Sequence, residues 1–134
     1  MELLSVRVEE APSGSSRARL VGDIVYDDRP GKVERYWFEV PGEYAESLSL
    51  SGNPWLASLL PLAVTLRQPL RLNAPVDPIL LENVPRVMQT WCDWYRERFP
   101  GIASVPIEAP VGTTEPRRGP GESAAFFSPS HASI

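Results

Sequence analysis

The chain has one cysteine, Cys92, and one histidine, His131, in 134 residues. A lone thiol cannot close an internal disulfide, and a lone imidazole leaves no partner for a Cys/His zinc site, so neither staple holds this fold. A basic excess is missing too: Asp and Glu number 17 against 13 Lys and Arg, a formal net charge of −4. That balance attracts neither phosphate backbones nor anionic membranes, and it argues against nucleic acid as a partner. The longest apolar run, around residues 55–66, is broken by Ser58, Pro61 and Thr65. It falls short of the ~20 residues a bilayer span requires. Met1-Glu2-Leu3-Leu4 leads into alternating charge and not into the basic and apolar regions of a secretory signal, so a cytoplasmic location with no membrane partner is expected.

An apolar fraction of 43% and a charged fraction of 22% are those of a folded globular chain. The length suits one domain with a real core. Leu4-Ser5-Val6-Arg7-Val8 and the start of Ala18-Arg19-Leu20-Val21-Gly22-Asp23-Ile24-Val25-Tyr26 alternate as half-buried strands do, with the turn-forming Pro12-Ser13-Gly14-Ser15-Ser16 between them. After the turn at Asp27-Asp28-Arg29-Pro30-Gly31, the β-branched and aromatic residues 33–40 complete an antiparallel meander. Tyr44, Leu48 and Leu50 then suggest a short amphipathic helix. Asn53-Pro54 reads as an N-cap with proline at the first helical position, opening a buried helix over residues 55–66.

Residues 70–76 alternate again and can add a fourth strand. Asp77-Pro78 repeats the cap-plus-proline signal before a long helical pattern carrying Leu80, Leu81, Val84, Val87, Met88, Trp91, Trp94 and Tyr95. Pro85 predicts a kink or break near Asn83-Val84, and Pro100-Gly101 predicts the helix end. Residues 105–109 form a last strand of this unit. The fold class is therefore α+β, a mostly antiparallel sheet of about four or five strands packed against two or three helices. Residues 1–111 form the domain, 112–122 read as a linker, and 123–134 as a strand remnant and tail.

Few residues invite chemistry. Cys92, between Trp91 and Asp93, lacks a basic neighbour in sequence to activate it and is expected to be structural. His131 is the fourth residue from the C-terminus, a poor place for a general base. Asp27-Asp28 reads as a solvated turn in preference to a cation site, and Glu9-Glu10 and Arg96-Glu97-Arg98 as solvent faces. No convergent acid–base pair emerges from Asp23, Glu39, Asp77, Glu82 or Asp93. Trp91, Trp94, Tyr95 and Phe99 make an aromatic stripe at helical spacing, either core packed against the sheet, or a ligand-stacking surface or partner surface that includes Trp91, Trp94 and Tyr95.

The order of segments resembles the N-terminal region of PP-loop proteins, the ATP-pyrophosphatase superfamily that includes asparagine-synthase-like and 7-cyano-7-deazaguanine-synthase-like enzymes. The resemblance rests on Tyr36-Trp37-Phe38-Glu39-Val40-Pro41, the apolar helix of residues 54–66, the segment 70–83 and the strand Ala124-Ala125-Phe126-Phe127-Ser128. In that superfamily the strand runs into Ser-Gly-Gly-x-Asp-Ser, whose glycines let backbone N–H groups approach the pyrophosphate of ATP. Here Ser128-Pro129-Ser130-His131-Ala132-Ser133 follows, so only Ser128 and Ser133 match as degenerate cofactor-binding positions.

Pro129 supplies no N–H, and Ala132 lacks the carboxylate. The resemblance thus implies a non-catalytic accessory module whose adenylating catalytic domain is absent from this chain, through truncation, a frameshift or decay of a paralogue. ATP and magnesium belong only to an intact relative, and no cofactor or metal is expected here. Its partner is then the PP-loop catalytic domain or another protein. The alternative is a free-standing protein-protein interaction or oligomerisation domain, whose aromatic helix and buried second helix form a surface for a homo-oligomer or a hetero-oligomer.

Overall fold

The computed structural model describes residues 1–11 and 16–112. Three strands open the fold: β1 (Glu2–Glu10), β2 (Arg17–Val25) and β3 (Val33–Pro41). They pair antiparallel in sequence order, as expected for strands joined by short turns, and the hairpin between β1 and β2 is closed by Ala11 N–H donating to the Arg17 carbonyl at 3.0 Å. The ladder between β1 and β2 slips once, between Leu3 and Ser5, which leaves Leu4 as a bulge.

The chain next crosses the sheet through helix α1 (Asn53–Leu66) to reach β4 (Leu70–Leu72), and through α2 (Pro78–Tyr95) to reach β5 (Ile107–Glu108). The sheet order is β3-β2-β1-β4-β5. Both β4 against β1 and β5 against β4 are parallel. The sheet is therefore mixed and not mostly antiparallel: β1, β3, β4 and β5 run one way, and β2 alone runs against them. The cause is connectivity, since a strand entered from a helical crossover lies parallel to its neighbour. The expectation of an α+β fold with helices on a sheet holds.

One apolar cluster joins sheet and helices. Leu3, Leu20 and Ile24 meet Trp55, Leu56, Leu59, Leu60, Ala63 and Val64 of α1, and Val84 and Met88 of α2 extend it. Gly22 matters here for its lack of a side chain: a Cβ would sit 2.6 Å from Trp55 Cη2, so the indole lies directly against the bare backbone of β2. Phe38 flanks the indole at 5.1 Å between ring centroids. Trp55 Nε1 has no hydrogen-bond partner, an uncommon cost that the packing of the ring outweighs.

Several local expectations change. Residues 42–47 form a 3₁₀ helix that buries none of its side chains, so Tyr44, Leu48 and Leu50 do not share an amphipathic α-helix. Gly52, not Asn53, caps α1, and the Asn53 Oδ1 instead accepts from the Asp77 N–H at 2.9 Å, tying the starts of the two helices together. Asp77 does cap α2, accepting from Ile79 N–H at 2.9 Å. That helix runs unbroken through Pro85 because the proline sits on its exposed side, where water can satisfy the freed carbonyl. It ends at Tyr95, short of Pro100-Gly101. The fourth strand spans only Leu70–Leu72, although Val76 bridges in parallel to Val111 farther along. Residues 113–134, and with them Ser128, Ser133, His131 and most of the expected linker, lie outside the described residues.

Candidate functional site

A groove of about 700 Å³ opens where α1, the end of α2 and the following loop meet. Pro61 and Thr65 come from α1, Trp91 and Tyr95 from α2, and residues 98–102 close one side. Spacing explains the α2 contribution: Trp91 and Tyr95 are four residues apart and so share a helix face. Trp94 does not. It is 71% exposed and takes no part in the groove, so the expected partner surface of Trp91, Trp94 and Tyr95 divides, and Phe99 takes the place of Trp94.

The loop is built to hold Phe99 there. Phe99 N–H donates to the Tyr95 carbonyl at 2.7 Å, continuing the helix by one turn, and Ile102 N–H donates back to the Phe99 carbonyl at 2.9 Å. Their rings tilt at 54° with centroids 6.3 Å apart. From the opposite wall, Arg67 Nε donates to the Gly101 carbonyl. A Cβ on Gly101 would lie 2.6 Å from the Arg67 guanidinium, so the arginine tip would have to shift to accept a side chain there. Arg67 is also the residue that ends α1 in the left-handed region, with φ 55°.

The groove is chemically simple. Thr65 Oγ1 donates to the Pro61 carbonyl at 2.8 Å and is thereby occupied. Arg98 supplies the lining's only charge and lies 5.7 Å from the Phe99 ring centroid, within cation–π range. Such a lining can bury apolar surface and face a negative group. Cys92, one residue from Trp91, is buried, and its Sγ lies 4.0 Å from Ser104 Oγ; it is packed as the sequence suggested.

The ionisable residues gather elsewhere, on the sheet face turned away from the helices. Asp23 sits between Arg7 Nη1 at 2.6 Å and Arg35 Nε at 2.9 Å. Burial alone would raise its carboxyl, but hydrogen bonds from Arg35 and Arg7 outweigh that and hold it below the usual aspartate value. Glu39 lies between Arg17 and Arg19, each at 2.7 Å, and the Arg19 hydrogen bond lowers it likewise. Arg19 also covers the exposed Trp37 ring at 4.7 Å. At the near end of β3, Tyr36 and Tyr26 share a 2.8 Å hydrogen bond, which with burial and Glu34 pushes the Tyr36 hydroxyl well above its ordinary value.

Asp27-Asp28 does form a turn, yet its carboxylates are engaged. Asp27 Oδ1 lies 2.7 Å from the Met1 ammonium, and Asp28 Oδ1 accepts from Gln68 Nε2 at 2.9 Å. Gln68 Oε1 in turn accepts from Asp27 N–H at 3.1 Å, so the turn is fastened to the segment entering β4. Among the described residues no group of His, Cys, Asp and Glu is placed to hold a metal ion, and no helix is long and apolar enough to cross a membrane.

Sequence reasoning reached Trp91 and Tyr95 but missed Pro61, Thr65, Arg98 and the loop's structural role. Pro100-Gly101 was the available signal: a rigid residue beside one without a side chain marks a close approach as readily as a helix end. Compared with protein-family models, curated proteins and solved structures, the chain matches none.

Proposed function

We propose that this chain is a non-catalytic accessory module of a PP-loop, ATP-dependent synthetase-like protein, and that its aromatic groove is the face it offers to the catalytic domain. The observation that carries the reading is where the chemistry lies. Two carboxylates, Asp23 and Glu39, are neutralised by arginines on the open face of the sheet, whereas the groove beside α1 and α2 presents Trp91, Tyr95, Phe99, two prolines and one arginine. Aromatic anchors with a single arginine suit recognition of another protein surface better than acid–base work. The segment order that resembles PP-loop proteins adds the identity of that surface.

Titration calorimetry with Mg-ATP tests the non-catalytic half. The chain alone gives no saturable heat; micromolar binding refutes the reading. The groove half is tested by adding a PP-loop catalytic domain in trans and comparing wild type with Tyr95→Ala. Loss of association in the variant is expected, and equal association by both overturns it. A second reading, a free-standing oligomerisation domain, is favoured by one specific feature, the exposed aromatic edge of β3.

A further inference from the structure

We propose that β3 is the seam of a symmetric homodimer, pairing antiparallel with β3 of a second copy about a two-fold axis at Trp37. The strand stands at the end of the sheet order, and its nine residues pair with β2 without interruption from Val25↔Val33 to Arg17↔Pro41. Its outer row of N–H and C=O groups receives no backbone hydrogen bond from another segment among the described residues. Folded proteins blunt such an edge with a bulge, a lysine, a proline or a covering element. Here the bulge is on β1, and within the strand the only proline is the terminal Pro41 and there is no lysine. Exposed instead are Tyr36, Trp37 and Phe38, at 39%, 51% and 38%.

The occupant is indicated by the strand's own sequence, Val-Glu-Arg-Tyr-Trp-Phe-Glu-Val-Pro. Folded back on itself about Trp37, it sets Arg35 opposite Glu39 twice, Tyr36 opposite Phe38 twice, and Trp37 opposite Trp37. Both opposed charges and opposed aromatics are favourable cross-strand pairs. Moving the axis by one residue, to Tyr36 or Phe38, sets Arg35 against Trp37 or Trp37 against Glu39 and loses every charge match. The axis stands perpendicular to the sheet, so equivalent faces meet. Trp37, Arg35 and Glu39 share the outer face, and Tyr36 and Phe38 share the helix-bearing face where they are half covered.

Antiparallel pairing accepts either phase of the hydrogen-bond alternation at the axis, and two five-stranded sheets become one. Arg35 and Glu39 already hold Asp23 and the Arg17–Arg19 pair within the chain, so across the seam they set register more than strength. This inference does not depend on what occupies the groove.

Sedimentation equilibrium of the full chain tests it. Wild type forms a concentration-dependent dimer; Trp37→Lys, which puts two ammonium groups on the axis, weakens it by more than about tenfold while circular dichroism and the thermal midpoint stay near wild type. Tyr95→Ala, in the groove, keeps the dimer. A wild-type monomer at every accessible concentration overturns the proposal, as does a dimer that survives Trp37→Lys or disappears in Tyr95→Ala. Should Trp37→Lys not fold, oxidative cross-linking decides. Trp37→Cys links to itself, and Arg35→Cys links to Glu39→Cys when the two proteins are mixed but neither links alone, because opposed residues lie within disulfide reach. Failure of those links, or links in another pattern, refutes the register.

Discussion

Gly22→Ala replaces a hydrogen by a methyl group in the middle of β2, and the structure fixes what it meets. The new Cβ would lie 2.6, 2.7 and 2.8 Å from Cη2, Cζ3 and Cζ2 of Trp55. Contacts that short cannot stand, and the indole has little room to retreat, being 1% exposed with Phe38 at its flank. Forcing an extra carbon into a filled core costs ~1–3 kcal/mol. Replacing glycine by alanine in a strand returns ~0.5–1 kcal/mol of backbone entropy. The net loss is then about 1–2 kcal/mol, a fall of roughly 4–8 °C in melting midpoint for a chain of this size.

All three clashing atoms belong to the benzo ring that phenylalanine lacks, and Trp55 Nε1 has no hydrogen bond to lose. Trp55→Phe therefore costs only the volume it leaves empty, about 1–2 kcal/mol. Combined with Gly22→Ala it costs less than the sum, since the methyl occupies part of that space, and a coupling of about 1 kcal/mol is expected between two residues in contact. Urea unfolding followed by far-UV circular dichroism measures all four corners of the cycle without depending on the removed fluorophore. Gly22→Ala within about 0.5 kcal/mol of wild type, or two variants whose effects simply add, would refute the reasoning.

Two further outcomes follow from single side chains. Arg67 holds a φ of 55° and donates to the Gly101 carbonyl, so Arg67→Gly loses the bond but sheds the strain, whereas Arg67→Ala loses the bond and keeps it; thermal melts should place the glycine variant about 1 kcal/mol above the alanine variant. Asp23 ionises more readily folded than unfolded, so its contribution is present above the unfolded value of 3.8 and is lost as pH falls through the lower folded value. The stability gap between wild type and Asp23→Asn, read by urea unfolding at successive pH values, should therefore narrow only in that acid range. A gap that does not change with pH would contradict the arginine-held carboxylate.

Sequence patterning made the first three strands and both helices legible because each has a long period to read. Alternation over residues 4–8 and at the start of residues 18–26 marks β1 and β2, and the apolar positions of residues 55–66 mark α1. Strand direction was not legible from alternation, which is the same for parallel and antiparallel pairs. It was carried by a different signal, the helix standing before β4 and again before β5. The 3₁₀ segment at residues 42–47 failed for the opposite reason: of the three apolar residues Tyr44, Leu48 and Leu50, only Leu48 packs against the core, too little to specify a helix.

The aromatic stripe shows how far a single element can be read. Helical spacing correctly puts Trp91 and Tyr95 on one face, and it is equally consistent with Trp94 facing a partner. What separates them is the position of α1 and of the loop at residues 98–102, which rise beside Trp91 and Tyr95 and leave Trp94 in solvent. No property of α2 alone encodes that. The same argument bears on β3, where alternation places Trp37 on one face and Tyr36 and Phe38 on the other, but only the sheet order makes the strand an edge. Its three adjacent aromatics read, in isolation, as a strand with both faces buried. At an edge, with one face open and the outer backbone row unpaired among the described residues, the same residues are the ones the proposed seam would bury.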